Sequence, residues 1–201
     1  MKNKIGIIGQ GFVGTAVREG LKDFFNIETY DIAKESTCNS LDEICSKTKI
    51  LFVCLPTPMK LGGSCHIGIV EDVLEQIYAT GHCNTIIVKS TIPPGTTAMW
   101  NKKFEGIDIV FNPEFLTEAN SINDFKNQSR IIIGGPKKAA SKVRRLYTKA
   151  FPKVPIIKTD STYAEMVKYV TNCFLAMKVS FANEMYEIAN ALGIDYDKVI
   201  E

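Results

Sequence analysis

The chain has 201 residues, of which 45% are hydrophobic and 23% charged, and its formal net charge is +2. This near-neutral balance argues against a nucleic-acid or membrane-surface partner and is typical of a soluble globular protein. Because no apolar run reaches the length of a membrane span or of a signal-peptide core, we expect a cytoplasmic location.

Short β-branched runs alternate with helical patterns along most of the chain. The predicted strands are Ile5–Ile8, Ile27–Tyr30, Ile50–Cys54, Ile86–Lys89, Ile107–Phe111, Ile131–Ile133 and Val154–Lys158. The predicted helices between them are Val13–Phe24, Leu41–Ser46, Ile69–Tyr78, Thr96–Phe104 and Ala139–Phe151. Continuous apolar strands alternating with helices indicate a parallel sheet covered on both faces. We therefore predict an α/β fold, a doubly wound Rossmann-type parallel sheet, for residues 1–158.

A glycine-rich turn follows the first predicted strand and opens the first predicted helix. It has the spacing G-x-G-x-x-G and reads Gly9, Gln10, Gly11, Phe12, Val13, Gly14. This spacing lets backbone amides approach a pyrophosphate at a helix N-terminus. A purely structural glycine turn is the alternative interpretation.

An acidic residue, Asp31, ends the next strand about twenty residues further on, as in dinucleotide-binding folds. Its carboxylate would accept hydrogen bonds from the adenosine ribose hydroxyls and repel a 2′-phosphate. The sequence therefore predicts NAD as the cofactor, with nearby Lys34 weakening the preference over NADP a little.

Hydroxyl side chains follow the ends of two more predicted strands. Thr57 lies after Ile50–Cys54, and Ser90 and Thr91 lie after Ile86–Lys89. Ligands of such sheets bind at the carboxyl ends of the strands, so we expect these hydroxyls to face cofactor and substrate. Plain helix N-capping is the alternative, and Pro94 suits the first turn of the helix that follows.

The six cysteines include no C-x-x-C pair, which suits reduced thiols. The Cys65-His66 and His82-Cys83 pairs consist of sequence neighbours and fit no standard ligand spacing, so we predict no metal site.

The pattern changes after Lys158. No proline or glycine occurs from Tyr163 to Leu192, which predicts one helix of about thirty residues. Because Cys173–Ala182 is apolar on nearly every side, this helix must be buried all round. We therefore expect a second region, 159–201, and a homodimer through the 163–192 helix or cover from a missing domain.

The end of the chain predicts one more helix. Gly193 suits the end of the long helix, and Asp195 suits the N-cap of the next one. That last pattern stops after barely two turns, so we expect a cut or naturally shortened chain.

The stretch NPEFLTEAN carries two glutamates, Glu114 and Glu118, four positions apart. In a helix their carboxylates would share one face. A solvated helix start is the simpler alternative, because acidic side chains are favourable there.

Several stretches together resemble the UDP-glucose/GDP-mannose dehydrogenase family. They occur in the family's order across essentially the whole chain and read GIIGQGFVG, CLPTP, KSTIPPGTT, NPEFLTEANSINDF, RIIIGG and AEMVKYVTNCFLAMKVSFANEM. The resemblance implies NAD-dependent oxidation of the C6 hydroxymethyl group of a nucleotide sugar to a uronic acid.

The resemblance also implies roles for individual side chains. Glu118 would act as general base or water-orienting carboxylate at the sugar C6, facing the cofactor, with Glu114 near the substrate. Lys168 and Asn172 would hold the developing oxyanion, and Thr91 would help to hold the catalytic water.

Simpler alternatives exist for Lys168 and Asn172, the two side chains on the long predicted helix. Lys168 could form an ion pair with Glu165, three residues earlier, and Asn172 an interhelical hydrogen bond.

The chain also departs from the family. The family's cysteine nucleophile lies in a G-G-x-C-x-x-K-D stretch downstream of the long helix, and neither that stretch nor the C-terminal substrate domain is present. The resemblance therefore implies NAD binding without the complete oxidation. One alternative is a non-catalytic NAD-binding, dimerising relative. Another is a β-hydroxyacid dehydrogenase of the 6-phosphogluconate type, although that group lacks KSTIPPG and NPEFLTE.

Overall fold

The computed structural model describes residues 3–82 and 85–201. Strands and helices alternate from the start of the chain, as the hydrophobic pattern predicts. The elements are, in order, β1 (Lys4–Ile8), α1 (Phe12–Leu21), β2 (Asn26–Tyr30), α2 (Leu41–Lys47), β3 (Leu51–Val53), α3 (Gly68–Thr80), β4 (Thr85–Val88), α4 (Thr96–Lys103), β5 (Asp108–Phe111), α5 (Ser121–Lys126), β6 (Ile131–Gly134), α6 (Lys137–Ala150), β7 (Ile156–Thr159), α7 (Ser161–Ala191) and α8 (Tyr196–Ile200).

Within the described residues, the strands form one seven-stranded sheet in the order β2-β1-β3-β4-β5-β6-β7. Every neighbouring pair is parallel except one, because β6 runs antiparallel to β5 through the Phe111–Gly134 pair. The α/β doubly wound fold is therefore confirmed, and the expectation of a wholly parallel sheet is wrong at β5–β6. Consequently, β6 starts at the sheet edge where β5 ends, which brings residues 127–130 to that edge.

The central strands are buried on both faces of the sheet. In β3, Leu51 and Val53 pack into the core beneath α2, α3 and α4, whereas Phe52 packs into the opposite core beneath α1, α5 and α6. The same alternation holds in β4, where Ile87 faces away from its two neighbours. This two-sided burial explains why these strands are continuously apolar.

The long helix α7 begins inside the domain and ends outside it. Asp160 caps its start by accepting a hydrogen bond from Thr162 N at 2.8 Å, and the early residues Ala164 and Lys168 are buried. The predicted single helix is confirmed at 31 residues.

The later part of α7 is uncovered in this one chain. Phe174, Met177 and Phe181 are each at least half exposed, so the expected burial on all sides is not met within the chain itself. Gly193 follows the helix with φ at +68°, and Asp195 caps α8, both as predicted.

Among the residues described, none of the helices combines the length and apolar character needed to cross a lipid bilayer.

Candidate functional site

The three glycines of the G-x-G-x-x-G turn are required for different reasons. Gly9 has φ at +86°, and a Cβ there would lie 2.4 Å from the Cys54 carbonyl oxygen. A Cβ at Gly14 would lie 1.9 Å from the Gly9 oxygen, so this glycine lets α1 pack against the turn. A Cβ at Gly11, which precedes the first residue of α1, would meet nothing within 4 Å. Gly11 therefore faces the open space that a pyrophosphate needs at a helix N-terminus.

The carboxylate of Asp31 is fixed by backbone donors. Its Oδ2 accepts from Gln10 N at 2.6 Å, and its Oδ1 accepts from Ala33 N at 2.8 Å and Lys34 N at 3.1 Å. Partial burial works to raise the pKa of Asp31, but these three N–H donors and the Lys34 charge outweigh it, and the net pKa is lowered. The group is therefore an ionised, oriented acceptor at the end of β2.

The Lys34 side chain does not face the cofactor site. Its Nζ donates to the Gln10 carbonyl oxygen at 2.7 Å, and among the described residues Lys34 is not part of the cleft wall. We expected Lys34 to weaken the preference for NAD over NADP a little, but no contact between Lys34 and the cleft supports that expectation.

A cleft of about 760 Å³ opens at the carboxyl ends of β1 to β4. It brings together most of the predicted cofactor residues, namely Gly9, Gly11, Phe12, Val13, Asp31, Thr57, Ser90 and Thr91, and also Glu114, which was predicted to lie near the substrate. Apart from Lys89, the other wall residues are mostly apolar, and Ile32, directly after Asp31, is 93% exposed. The predicted residues outside the wall are Gly14, Lys34, Glu118, Lys168 and Asn172.

The hydroxyls after β3 and β4 join the two loops to each other. The Ser90 Oγ accepts from Leu55 N at 3.0 Å, and the Thr57 hydroxyl donates to the Thr91 carbonyl oxygen at 2.7 Å. Ser90 therefore stabilises the cleft wall and does not cap a helix. The expected position of Pro94 in a first helical turn is wrong, because α4 begins at Thr96 after Gly95.

The 112–117 segment, which contains the first glutamate of NPEFLTE, has no regular secondary structure. The idea that Glu114 and Glu118 share a helical face is therefore wrong. Glu114 is folded inward, with its side chain 10% exposed, whereas Glu118 is exposed. Glu114 is held inward by an ion pair with Lys168, which the spacing of the two glutamates in the sequence does not reveal.

Lys168, on the buried start of α7, holds Glu114 in place. Its Nζ donates to Glu114 Oε1 at 2.7 Å and to the Glu114 carbonyl oxygen at 2.6 Å. The alternative pair with Glu165 is wrong, because that carboxylate accepts hydrogen bonds from Gly95 N and from the backbone and hydroxyl of Thr97. Asn172, one turn after Lys168, is exposed.

A second buried lysine, Lys89, was missed by sequence reasoning. Its Nζ donates to Asn112 Oδ1 at 2.9 Å and lies 3.5 Å from the Pro113 carbonyl oxygen, and both acceptors are neutral. The Tyr147 hydroxyl donates to the same Asn112 oxygen. Burial is the main cause that lowers the pKa of Lys89 to about 8. A polar residue ending an otherwise apolar strand was the one indication available in the sequence.

A second cavity of about 530 Å³ adjoins the cleft. Lys89 and Glu114 belong to the walls of both spaces. The second cavity lies between the 113–117 segment, residues 124–130 and Thr171 of α7. Two ligands bound side by side would therefore meet at Lys89 and Glu114, next to Lys168.

No group of three or more histidine, cysteine, aspartate or glutamate side chains able to hold a metal ion occurs in the described part of the chain. Cys65 Sγ lies 3.6 Å from the Thr91 carbonyl oxygen, while Cys83 lies outside the described residues.

The glycine turn, the oriented carboxylate at the end of β2 and the cleft between them define a Rossmann-type dinucleotide-binding domain. Residues 33–151 match the NAD-binding domain of the UDP-glucose/GDP-mannose dehydrogenase family, and residues 162–201 match its central domain. The chain belongs to this family, and its cofactor is NAD.

Known relatives agree with this assignment. The chain is similar to UDP-glucose 6-dehydrogenase YwqF of Bacillus subtilis, at 31% identity over 91% of this chain and 45% of that protein. It is similar to GDP-mannose 6-dehydrogenase of Pseudomonas savastanoi pv. phaseolicola, at 36% identity over 77% of this chain and 38% of that protein. A UDP-glucose dehydrogenase structure from Pyrobaculum islandicum superimposes with a TM-score of 0.87 at 29% identity, covering 99% of this chain and 56% of its own. The chain thus spans less than half the length of the two relatives.

Proposed function

We propose that this chain is the NAD-binding part of an enzyme that oxidises the C6 hydroxymethyl group of a nucleotide sugar. The observation that carries the proposal is the meeting of the cleft and the second cavity at Lys89 and Glu114. Bound NAD supplies a hydride acceptor, and the reaction needs a substrate carbon beside it. The cleft fits the dinucleotide, and the second cavity offers the neighbouring space for the sugar.

Lys168 is placed to stabilise negative charge at that meeting point. An ammonium group has three N–H donors, and Glu114 takes two of them, so one is left for a substrate oxygen. The side chain is buried, which strengthens its effect on a developing oxyanion. In this proposal Asn172 adds an amide donor, Thr91 helps to hold water, and Glu118 acts as the base from the adjoining segment.

The exposed half of α7 supports a homodimer as part of the proposal. Large apolar side chains on several sides of one helix need a cover, and a second copy of the same helix supplies one. The remainder of a longer enzyme is the other source of cover. A cytoplasmic location agrees with the use of NAD and reduced cysteines.

A non-catalytic NAD-binding module is the second candidate, and one observation favours it. Cys54 lines the cleft, but burial raises the pKa of its thiol to about 12, whereas a nucleophilic thiolate needs a lowered pKa. The part of the chain that the structure describes thus provides no activated thiol in the cleft for a covalent intermediate. The enzyme proposal accounts for the same observation only if the thiol for the second oxidation step comes from outside these 201 residues.

Two measurements on the 201-residue chain test the proposal. NADH titration followed by nicotinamide fluorescence should show saturable binding, and Asp31→Ala should weaken it by about tenfold or more. NAD with UDP-glucose or GDP-mannose should give no sustained increase in the absorbance of NADH. Sustained turnover to a uronic acid would refute our account of the missing thiol, and production of a ketone would favour the β-hydroxyacid dehydrogenase alternative.

A further inference from the structure

Gln10, the variable residue between the first two glycines, is 3% exposed although its side chain is polar. All of its hydrogen-bonding groups have partners. Its Nε2 donates to the Glu35 carbonyl oxygen at 2.8 Å and to Ser36 Oγ at 3.0 Å. Its Oε1 accepts from Arg18 Nη1 at 2.6 Å. Its main chain binds Asp31 and Lys34, as described above.

The 32–36 segment depends on these contacts for its position. It is mostly exposed and has no regular helix or strand. In the described residues, each hydrogen bond that joins it to the rest of the domain ends on Gln10 or on Asp31. The two hydrogen bonds donated by the Gln10 side-chain amide hold the end of the segment at Glu35 and Ser36. The Asp31 carboxylate holds the beginning of the segment by accepting from backbone N–H groups. Loss of the side-chain amide would therefore loosen the turn that orients the Asp31 carboxylate.

Gln10 also accepts hydrogen bonds from two cations, Arg18 on α1 and Lys34 in the 32–36 segment. Arg18 donates to its side chain and Lys34 to its carbonyl oxygen, and neither cation is part of the described cleft wall. Loss of the Gln10 side chain would leave Arg18 with its 3.3 Å ion pair to Glu19 but without its acceptor on Gln10, and a less restrained guanidinium would attract the 2′-phosphate that distinguishes NADP from NAD.

We propose that Gln10 is a positioning residue that sets the discrimination between NAD and NADP, by orienting Asp31 and by keeping Arg18 away from the ribose. The inference rests on the proposed function only in requiring a dinucleotide in the cleft. Gln10 acts through Asp31 and Arg18, and it is not itself part of the described cleft wall.

The test is titration of the complete chain with NADH and, separately, with NADPH. The wild type should bind NADH at least about tenfold more tightly than NADPH. Gln10→Ala should reduce this ratio by about fivefold or more, because NADH binding weakens and NADPH binding does not. Gln76→Ala, which removes an exposed glutamine on α3, is the matched control and should keep the wild-type ratio.

Gln10→Glu separates the two parts of the mechanism and guards against misfolding of the alanine variant. It keeps the acceptor for Arg18 but loses both donors to the 32–36 segment, so its ratio should lie between those of wild type and Gln10→Ala. An equal loss of NADH and NADPH affinity in both variants would show a merely structural role and overturn the inference. Absence of NADH binding by the wild type would instead overturn the dinucleotide assignment itself.

Discussion

Replacement of Lys89 by methionine should stabilise the protein at neutral pH. Lys89 is only 4% exposed, and the acceptors of its hydrogen bonds are neutral oxygens of Asn112 and Pro113. A buried ammonium without a directly bonded carboxylate is destabilising because it has lost its hydration. Burial, with the repulsion of nearby Lys168, lowers its pKa from 10.5 to about 8, although the Glu114 charge opposes this.

The magnitude follows from the two pKa values. At about 1.4 kcal/mol per pKa unit, the difference between 10.5 and about 8 amounts to about 3 kcal/mol. Between these values the unfolded chain binds a proton that the folded chain does not, so the free energy of unfolding rises with pH across this window. Below pH 8 the folded protein carries the full penalty. After about 1 kcal/mol is subtracted for the lost hydrogen bond, Lys89→Met should gain about 2 kcal/mol at pH 7.

Urea unfolding of both proteins between pH 7 and pH 10 provides the assay. The stability difference between Lys89→Met and wild type should be positive at pH 7 and shrink to zero or below as pH approaches 10. Lys102→Met, an exposed lysine on α4, serves as the control and should show no such trend. A Lys89→Met difference that stays constant with pH would refute the reasoning.

Three further predictions concern packing, the buried ion pair and α7. Gly14→Ala should destabilise the fold by about 2 kcal/mol in thermal or urea unfolding, since its Cβ would lie 1.9 Å from the Gly9 oxygen; a wild-type stability would contradict this close approach. Lys168→Met should cost about 3 kcal/mol of stability, because it leaves the inward-facing Glu114 carboxylate unpaired. An unchanged stability of Lys168→Met in urea unfolding would argue against the pair. Phe181→Asp should convert a dimer at micromolar concentration into a monomer in light scattering, and a monomeric wild type would remove the basis for dimerisation through α7.

The sequence predicted the inner strands β3 to β6 because each contains a short apolar run, which burial on both faces requires, whereas the edge strands β2 and β7 are less buried and were indicated by their β-branched residues and spacing. It did not predict α5, a short helix with only Ser121 and Phe125 buried, because two buried positions give no readable period. Nor did it predict the reversed direction of β6, since an apolar strand has the same pattern in either direction.

The candidate site divides in the same way. The glycine turn and Asp31 follow local rules of spacing, so they could be read from the sequence. The Lys168–Glu114 pair joins residues 54 positions apart, and the Lys89–Asn112 contact joins residues 23 apart, so only the folded chain reveals them. The local guess of a pair between Glu165 and Lys168 failed because Glu165 is directed to the start of α4.

The central claim, that the cleft holds NAD with its pyrophosphate against the glycine turn, is tested most directly at Gly11. A Cβ at this position meets no protein atom within 4 Å, so Gly11→Ala should leave the unfolding temperature unchanged while the methyl group occupies space needed by the pyrophosphate. Calorimetric titration with NADH should show saturable binding by the wild type and at least about a tenfold weaker affinity for the variant. Equal affinities for the two proteins, or no binding by either, would contradict the account.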